Sequence, residues 1–450
     1  MCWHSHRDPV PGTAERLGHL SEAARWETSF VTRPLDDCTE RLAFDVDAIR
    51  GYFPALGDGT AYFDGPGGSQ TPTVVADAIR DAMLRPLSNR GSTTTAERNA
   101  EEIVGQCRRA VGDLLNADPD EVIFGRSMTA LTFDLSRTLA AQWRPGDEIV
   151  VTRLDHDANV RPWVIAAAAA GAVIRWADFD PATAELPVQN IEEQLSARTR
   201  LVAVTAASNL IGTMPDVRTI ATRTHAAGAL LYVDGVHYTA HSKVDFRDLG
   251  ADFFACSPYK FLGPHCGVVV GKRDVLTDLR PDKLLPATDR VPERFELGTL
   301  PYELMAGTTA AVDFLAGMTH TTGTRRNRLV AAMSALEHHE DTLRQRIEAG
   351  LQQLSTVTIH SRATRRTPTL LLAFAGRDAA EISTVLGQHH INAPAGSFYA
   401  YEASRRLGLG DAGGVRIGLA PYNSSDDVDR LIRVLAKTVD HDLTYIDRHI

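Results

Sequence analysis

Asp234 and Lys260 are the two residues of this chain whose types and placement point most directly to chemistry. In the string GALLYVDGVH an apolar run, Leu230–Val233, leads straight into Asp234. Further on, the run Phe253–Cys256 leads into Ser257, Pro258, Tyr259 and Lys260, and Gly263 and Pro264 then break the chain before GVVV. A lysine amine forms a Schiff base with an aldehyde cofactor. A carboxylate that keeps a heterocyclic nitrogen protonated makes the ring an electron sink. Taken alone, Asp234 reads equally well as a cap for the next element. The lysine is more selective, because the chain holds only five: Lys243, Lys260, Lys272, Lys283 and Lys437. Lys437 sits on an amphipathic helix, Lys272 in a polar turn and Lys283 in a proline-rich loop, and all three read as solvated surface. Lys243, before a VDF stretch, is the one rival, and solvated surface is the favoured reading there too. A phosphate on the cofactor would need anion donors. Ser257 is close by in sequence, and Met128 and Thr129 lie in GRSMTA, a strand-to-helix turn of the kind that presents backbone N–H groups to anions. A single threonine there is more often only a helix cap.

Both groups must face one crevice, which requires a sheet. The strand candidates are Glu121–Phe124, Glu148–Thr152, Val173–Trp176, Leu201–Thr205, Leu230–Val233, Phe253–Cys256 and Gly267–Val270. Several are near-continuous apolar runs, as in strands covered on both faces. Helical stretches such as Thr129–Gln142 and Val217–Ala227 alternate with them, so the fold class is α/β with a mostly parallel sheet. Ligands in such sheets sit at the carboxyl ends of the strands. Residues 1–45 read as an N-terminal extension with one helix near Thr13–Thr28. Residues 46–305 read as a large domain whose first residues join the small one. Residues 306–450 read as a small α+β domain: a long helix over Arg325–Gln353, strands Thr356–His360 and Thr369–Phe374, a helix Ala379–Gly387, and a final helix Ser425–Val439 capped by Ser425. The 450 residues carry 47 basic and 57 acidic side chains, a net charge of −10, with 44% hydrophobic and 23% charged residues. This excludes a disordered chain and argues against a nucleic-acid binder. The longest apolar stretch, Trp163–Val173, is too short to span a bilayer. The start MCWHSHRDPVPG has no apolar signal core, so a cytoplasmic protein is expected. Five cysteines, odd in number and without metal-type spacing, are expected to be reduced thiols. The pairs His338–His339 and His389–His390 lack ligand spacing and read as surface residues, so no metal is expected.

Nine strings in order carry a resemblance: YFDGPGGSQ, NRG, GRSMTALTF, LDHDANVRPW, ASNLIGT, VDGVHY, CSPYKFLGPH, FELGT and VRIGLAPYN. Over about residues 50 to 440 the chain resembles the class V aminotransferases, fold-type-I pyridoxal 5′-phosphate enzymes, and among them the cysteine desulfurase and selenocysteine lyase branch. The resemblance implies a seven-stranded sheet domain, a small α+β domain, and a homodimer with shared active sites acting on a small amino-acid-type substrate. It implies that Lys260 carries the cofactor as a Schiff base, that Asp234 holds the pyridinium nitrogen, and that His156 stacks on the ring and shuttles protons, these three forming the catalytic set. Asn209 and His237 would lie near the phenolic oxygen, where His237 replaces the usual glutamine. Met128, Thr129, Ser257 and Tyr259 would contact the phosphate, and Gly298 and Thr299 would reach that of the other subunit. Arg416 would clamp the substrate carboxylate with its planar fork, and Arg90 is a further substrate-side candidate.

One part of the pattern departs. The nucleophilic cysteine of this branch should fall in NAPAGSFYAYEA (392–403), where Tyr399 stands in its place, and no cysteine follows Cys266. Cys256 and Cys266 read as core or loop residues. The expectation is therefore a lyase- or aminotransferase-type enzyme without a persulfide-forming cysteine, with Tyr399 shaping the substrate pocket. An epimerase, an oxygen-using decarboxylase and a non-catalytic homologue stay open as alternatives. GPGGSQ reads as a tight loop at the pocket edge.

Overall fold

The structure is a computed structural model and describes residues 44–446. Seven strands form the large sheet: β1 (Val122–Gly125), β2 (Glu148–Thr152), β3 (Val173–Ala177), β4 (Thr199–Thr205), β5 (Leu230–Asp234), β6 (Phe253–Cys256) and β7 (Gly267–Gly271). Their order is β1-β7-β6-β5-β4-β2-β3, and only β7 runs against its neighbours. The central strands are buried on both faces, which is why their sequences are near-continuous apolar runs. The edge strand β3 instead alternates exposed and half-buried residues, as a strand with one uncovered side does.

The helices of ten residues or more are α1 (Thr73–Leu84), α2 (Thr95–Leu115), α3 (Met128–Ala140), α4 (Arg161–Ala170), α5 (Val217–Ala226), α6 (Tyr302–Ala316), α7 (Arg325–Leu351), α8 (Ala379–Gln388) and α9 (Ser425–Ile446). Residue 305 falls within α6, which packs against α1 and α2. Helix α2 starts in a capping box in which Thr94 and Glu97 exchange hydrogen bonds. The cap of α9 is Ser424, not Ser425. The Ser424 hydroxyl accepts from Asp427 N–H, and Asp427 Oδ2 accepts from Ser424 N–H in return. That reciprocal pair requires three-residue spacing, which Ser425 does not have with Asp427.

A four-stranded antiparallel sheet follows, in the order β10-β11-β9-β8: β8 (Val357–Ile359), β9 (Thr369–Phe374), β10 (Ala395–Gly396) and β11 (Gly414–Gly418). Ala61–Tyr62 pairs in parallel with Ile391–Asn392, which brings the start of the described chain beside this sheet. Helix α7 spans two apolar cores. Leu329, Met333 and Leu336 enter the cluster around the large sheet, and Leu343, Ile347 and Leu351 enter that of the small one. Between them Glu340 is fully buried and meets His241 Nδ1 at 2.8 Å. His339 is half-buried rather than a surface residue, its Nε2 paired with Asn423 O at 2.9 Å. The helix expected near Thr13–Thr28, with Cys2 and Cys38, lies outside the described residues. Among the described residues no helix is long and apolar enough to cross a membrane.

Candidate active site

Asp234 is the last residue of β5. Its side chain is buried and its Oδ1 accepts from Val236 N–H at 2.9 Å. Gly235 makes the turn after it feasible, because a Cβ there would lie 1.9 Å from the Phe254 ring. Burial pushes the Asp234 carboxyl up to about 6, against the opposing pull of Val236 N–H and Lys260. Lys260 closes a single 3-10 turn after β6, and its Nζ donates to Pro66 O. Burial and the Arg416 charge lower its amine to about 7, partly offset by Asp64 and Asp234. The sign matters here. Below about pH 7 the amine is protonated and inert, and above it the amine is free and nucleophilic. In cofactor-free protein the labelling rate of Lys260 by acetic anhydride should therefore rise through pH 7 and level off by about pH 8.5, whereas an unperturbed lysine keeps gaining reactivity toward pH 10. Competitive labelling read by peptide mass spectrometry checks this.

His156 caps the short turn Asp157–Asn159 after β2, its Nδ1 accepting from Ala158 N–H at 3.0 Å. That bond leaves the ring proton on Nε2. Burial, then Lys260 and Arg416, lowers the imidazole to about 4, so it is neutral at pH 7. Asn209 Nδ2 donates to Phe398 O at 2.9 Å. His237 Nε2 lies between the hydroxyls of Thr367 (2.9 Å) and Thr369 (3.0 Å). Arg416, on β11, donates through Nη2 to Asp64 Oδ1 at 2.6 Å and through Nη1 to Asn209 O at 3.2 Å, with the Phe398 ring 3.6 Å from its guanidinium carbon.

These side chains enclose one cavity of about 660 Å³ between the carboxyl ends of the large sheet and the small sheet. Of the residues singled out from sequence, Lys260, Asp234, His156, Asn209, His237, Met128, Thr129, Ser257, Tyr259, Arg416 and Tyr399 all line it. Pro66 and Gly67 of GPGGSQ do too, at its edge. Gly298, Thr299 and Arg90 do not line the cavity of their own chain. The Arg90 guanidinium is engaged by Glu101 at 2.8 and 2.9 Å and by Glu293 at 3.4 Å. Phe398 and Tyr399 both adopt left-handed backbone, φ 52° and 58°, which costs roughly 1–2 kcal/mol per residue. The strain is held by Asn209 on Phe398 O and by Asp157 N–H on Tyr399 O at 2.8 Å. Tyr399 itself is 76% exposed at the mouth.

Two acidic groups in or beside the site were not assigned from sequence. Asp64 lies inside YFDGPGGSQ, yet nothing local marks its partner, Arg416. Asp155, next to His156, is buried and accepts from Asn159 Nδ2 at 2.7 Å and from the Thr152 hydroxyl. Burial pushes it up to about 8, opposed by those two bonds and reinforced by Asp234. Its position beyond the carboxyl end of β2 was the available signal.

The cavity suits an aldehyde-bearing phosphorylated heterocycle. It offers a free amine, a carboxylate at the carboxyl end of the neighbouring parallel strand, and the N-terminus of α3 with its unsatisfied N–H groups. Asn209 Oδ1, His237 Nδ1 and Arg416 Nε are buried without hydrogen-bond partners. Buried polar atoms are normally satisfied, so these three mark places where a bound molecule completes the site. Among the described residues no cluster of three or more His, Cys, Asp or Glu is placed to hold a metal.

Comparison with known proteins agrees. The family model of class-V aminotransferases matches residues 61–431, and the chain belongs to that family. An uncharacterized protein of Mycobacterium tuberculosis is 31% identical, covering 88% of this chain and 99% of its own length. The aminotransferase-like protein FGM3 of Gibberella zeae is 29% identical over 87% of this chain and 98% of its own. The crystal structure of the cysteine desulfurase CsdA from Escherichia coli superposes with a TM-score of 0.78 at 26% identity, covering 88% and 99% of the two chains. The chain is thus a cysteine desulfurase-like, fold-type-I enzyme that depends on pyridoxal 5′-phosphate.

Proposed function

We propose that the protein transforms an α-amino acid or amino-acid conjugate by lyase- or aminotransferase-type chemistry, with Lys260 carrying the cofactor and no protein persulfide formed. The observation that carries this reading is the placement of the depressed Lys260 amine in one cavity with buried Asp234 and the Arg416 fork. Pyridoxal phosphate, when bound, supplies an aldehyde carbon for exchange with the substrate amine and a ring that accepts electrons from the substrate's α-carbon. Asp234 keeps a proton on the ring nitrogen. Met128, Thr129, Ser257 and Tyr259 hold the phosphate. Asn209 and His237 serve the phenolic oxygen. His156, neutral and with its proton on Nε2, covers the ring. The Lys260 amine, or His156, would move the proton at the substrate's α-carbon. Arg416 receives the substrate carboxylate.

The cysteines support the departure from sulfur transfer. Of the three cysteines among the described residues, Cys107, Cys256 and Cys266, none lines the cavity. Cys256 and Cys266 are buried, and burial raises both thiols, Cys266 to about 11, so neither is a thiolate at neutral pH. Iodoacetamide treatment is expected to leave turnover within about twofold of the untreated enzyme, and no persulfide should form on incubation with cysteine. Loss of turnover together with an alkylated cysteine would count against the reading.

A homodimer fits the surface. Leu284, Leu285 and Leu297 are 69%, 97% and 59% exposed, and Leu297 directly precedes Gly298 and Thr299. A second copy packed on this face would bring Gly298 and Thr299 toward the neighbouring cavity. Light scattering should give twice 49.0 kDa. Incubation with a panel of amino acids, read for keto acid, ammonia, sulfide and oxygen uptake, distinguishes lyase from transferase. Oxygen consumption or simple epimerisation would replace this reading with the alternatives.

A further inference from the structure

The segment Asp64-Gly65-Pro66-Gly67 is pressed onto the strand that carries Arg416. Gly65 N–H donates to Gly418 O at 3.3 Å, and Gly418 N–H donates to Phe63 O at 2.8 Å. A Cβ at Gly65 would lie 2.2 Å from Leu419 O, and one at Gly418 would lie 2.1 Å from Pro66 Cδ. The contact between the two segments therefore depends on these glycines. It delivers the Asp64 carboxylate onto Arg416 at 2.6 Å. Gly67 makes room for it, since a Cβ there would lie 2.2 Å from Asp64 Oδ2. Arg416 is 2% exposed, and its guanidinium already holds Asp64 and Asn209 O, with Phe398 over one face. Its Nε is unpartnered, so the fork keeps a free donor.

We propose that Asp64 is a specificity-determining positioning residue: a built-in carboxylate that occupies part of the Arg416 clamp and weakens the binding of every carboxylate that arrives there. This rests on the reading of Arg416 as the substrate clamp. An incoming carboxylate shares the guanidinium with an anion that the glycine turn holds in place, and like charges brought together oppose binding. Every α-amino acid makes the same amine link to the cofactor, so a small one has no further side-chain contact with which to recover the deficit. A longer one reaches the strained Phe398–Tyr399 rim, where the aromatic rings and the Arg161–Asp157 pair (3.0 Å) line the mouth. The substrate class is therefore an α-amino acid with an extended side chain or a conjugated group, and glycine and alanine are poor ligands.

Calorimetric titration of the holoenzyme with propionate tests this without recourse to turnover. Asp64→Asn should bind propionate about tenfold more tightly than the native protein. Gly67→Ala, which displaces the Asp64 carboxylate while keeping it in the chain, should tighten binding about threefold. If Asp64→Asn does not fold, Gly67→Ala decides alone. A gain of affinity is a result that general structural damage does not produce. Unchanged or weaker binding in these variants overturns the role of Asp64. Arg416→Gln should lose propionate binding. If it binds as the native protein does, the clamp itself is elsewhere, and the Asp64 proposal falls with it by a separately visible result.

Discussion

Lys260→Ala is expected to yield folded protein that takes up no covalently bound cofactor, shows no visible absorption band after reconstitution, and turns over amino acids about 10⁴-fold more slowly. The size of the effect follows from geometry. The four other lysines lie outside the cavity, so none can take over. The same amine serves twice, first as the covalent anchor and then, with His156, as a group placed to move the substrate's α-proton. The variant removes both roles at once. Stability should change little or increase, because the lysine amine is buried at a cost, as its lowered affinity for a proton records. Unchanged absorbance in this variant would place the anchor on another residue. Spectra before and after reconstitution, with thermal unfolding as the control for folding, provide the check.

Asp234→Asn should keep the cofactor and lose the chemistry. Asparagine fills the same space at the end of β5 and can still accept from Val236 N–H, so the melting cost should stay near about 1 kcal/mol. It carries no charge, and the buried cavity has no solvent to replace that charge. Turnover should fall about 10³-fold, the scale of removing one preorganised electrostatic partner from a dry site. The imine absorption should persist with a shifted pH dependence, because the ring nitrogen no longer holds its proton. A parallel loss of cofactor binding would instead make Asp234 a structural residue. Steady-state rates together with the absorption titration separate the two outcomes.

Much of this architecture was legible because burial writes it plainly. Strand β6 begins and ends where its apolar run does, β2 spans the expected Glu148–Thr152 around the run Ile149–Val151, and β5 extends one residue further to include Asp234 itself. A doubly covered strand tolerates few polar residues, so its limits show. Strand β1 starts at Val122 because Glu121 belongs to a 3-10 turn, closed by local hydrogen bonds that hydrophobicity does not record. Lys260 and Asp234 were legible for the same reason as the strands: each ends an apolar run. Asp64 was not, since its partner lies 352 residues away and only the folded turn joins them. Asp155 was hidden by its neighbour His156, and its hydrogen bonds to Thr152 and Asn159 arise from a turn that no periodicity signals. The pairing of Arg90 with Glu101 and Glu293 is likewise a property of packed helices and loops rather than of the NRG string.

The claim on which the rest depends is that the side-chain amine at position 260 is the covalent seat of pyridoxal phosphate. Reconstituted enzyme reduced with borohydride, digested and mapped by mass spectrometry measures this directly. The account predicts a reduced phosphopyridoxyl adduct on the peptide containing Ser257–Lys260, and none on peptides carrying Lys243, Lys272, Lys283 or Lys437. An adduct on one of those four, or none after full reconstitution, would contradict it.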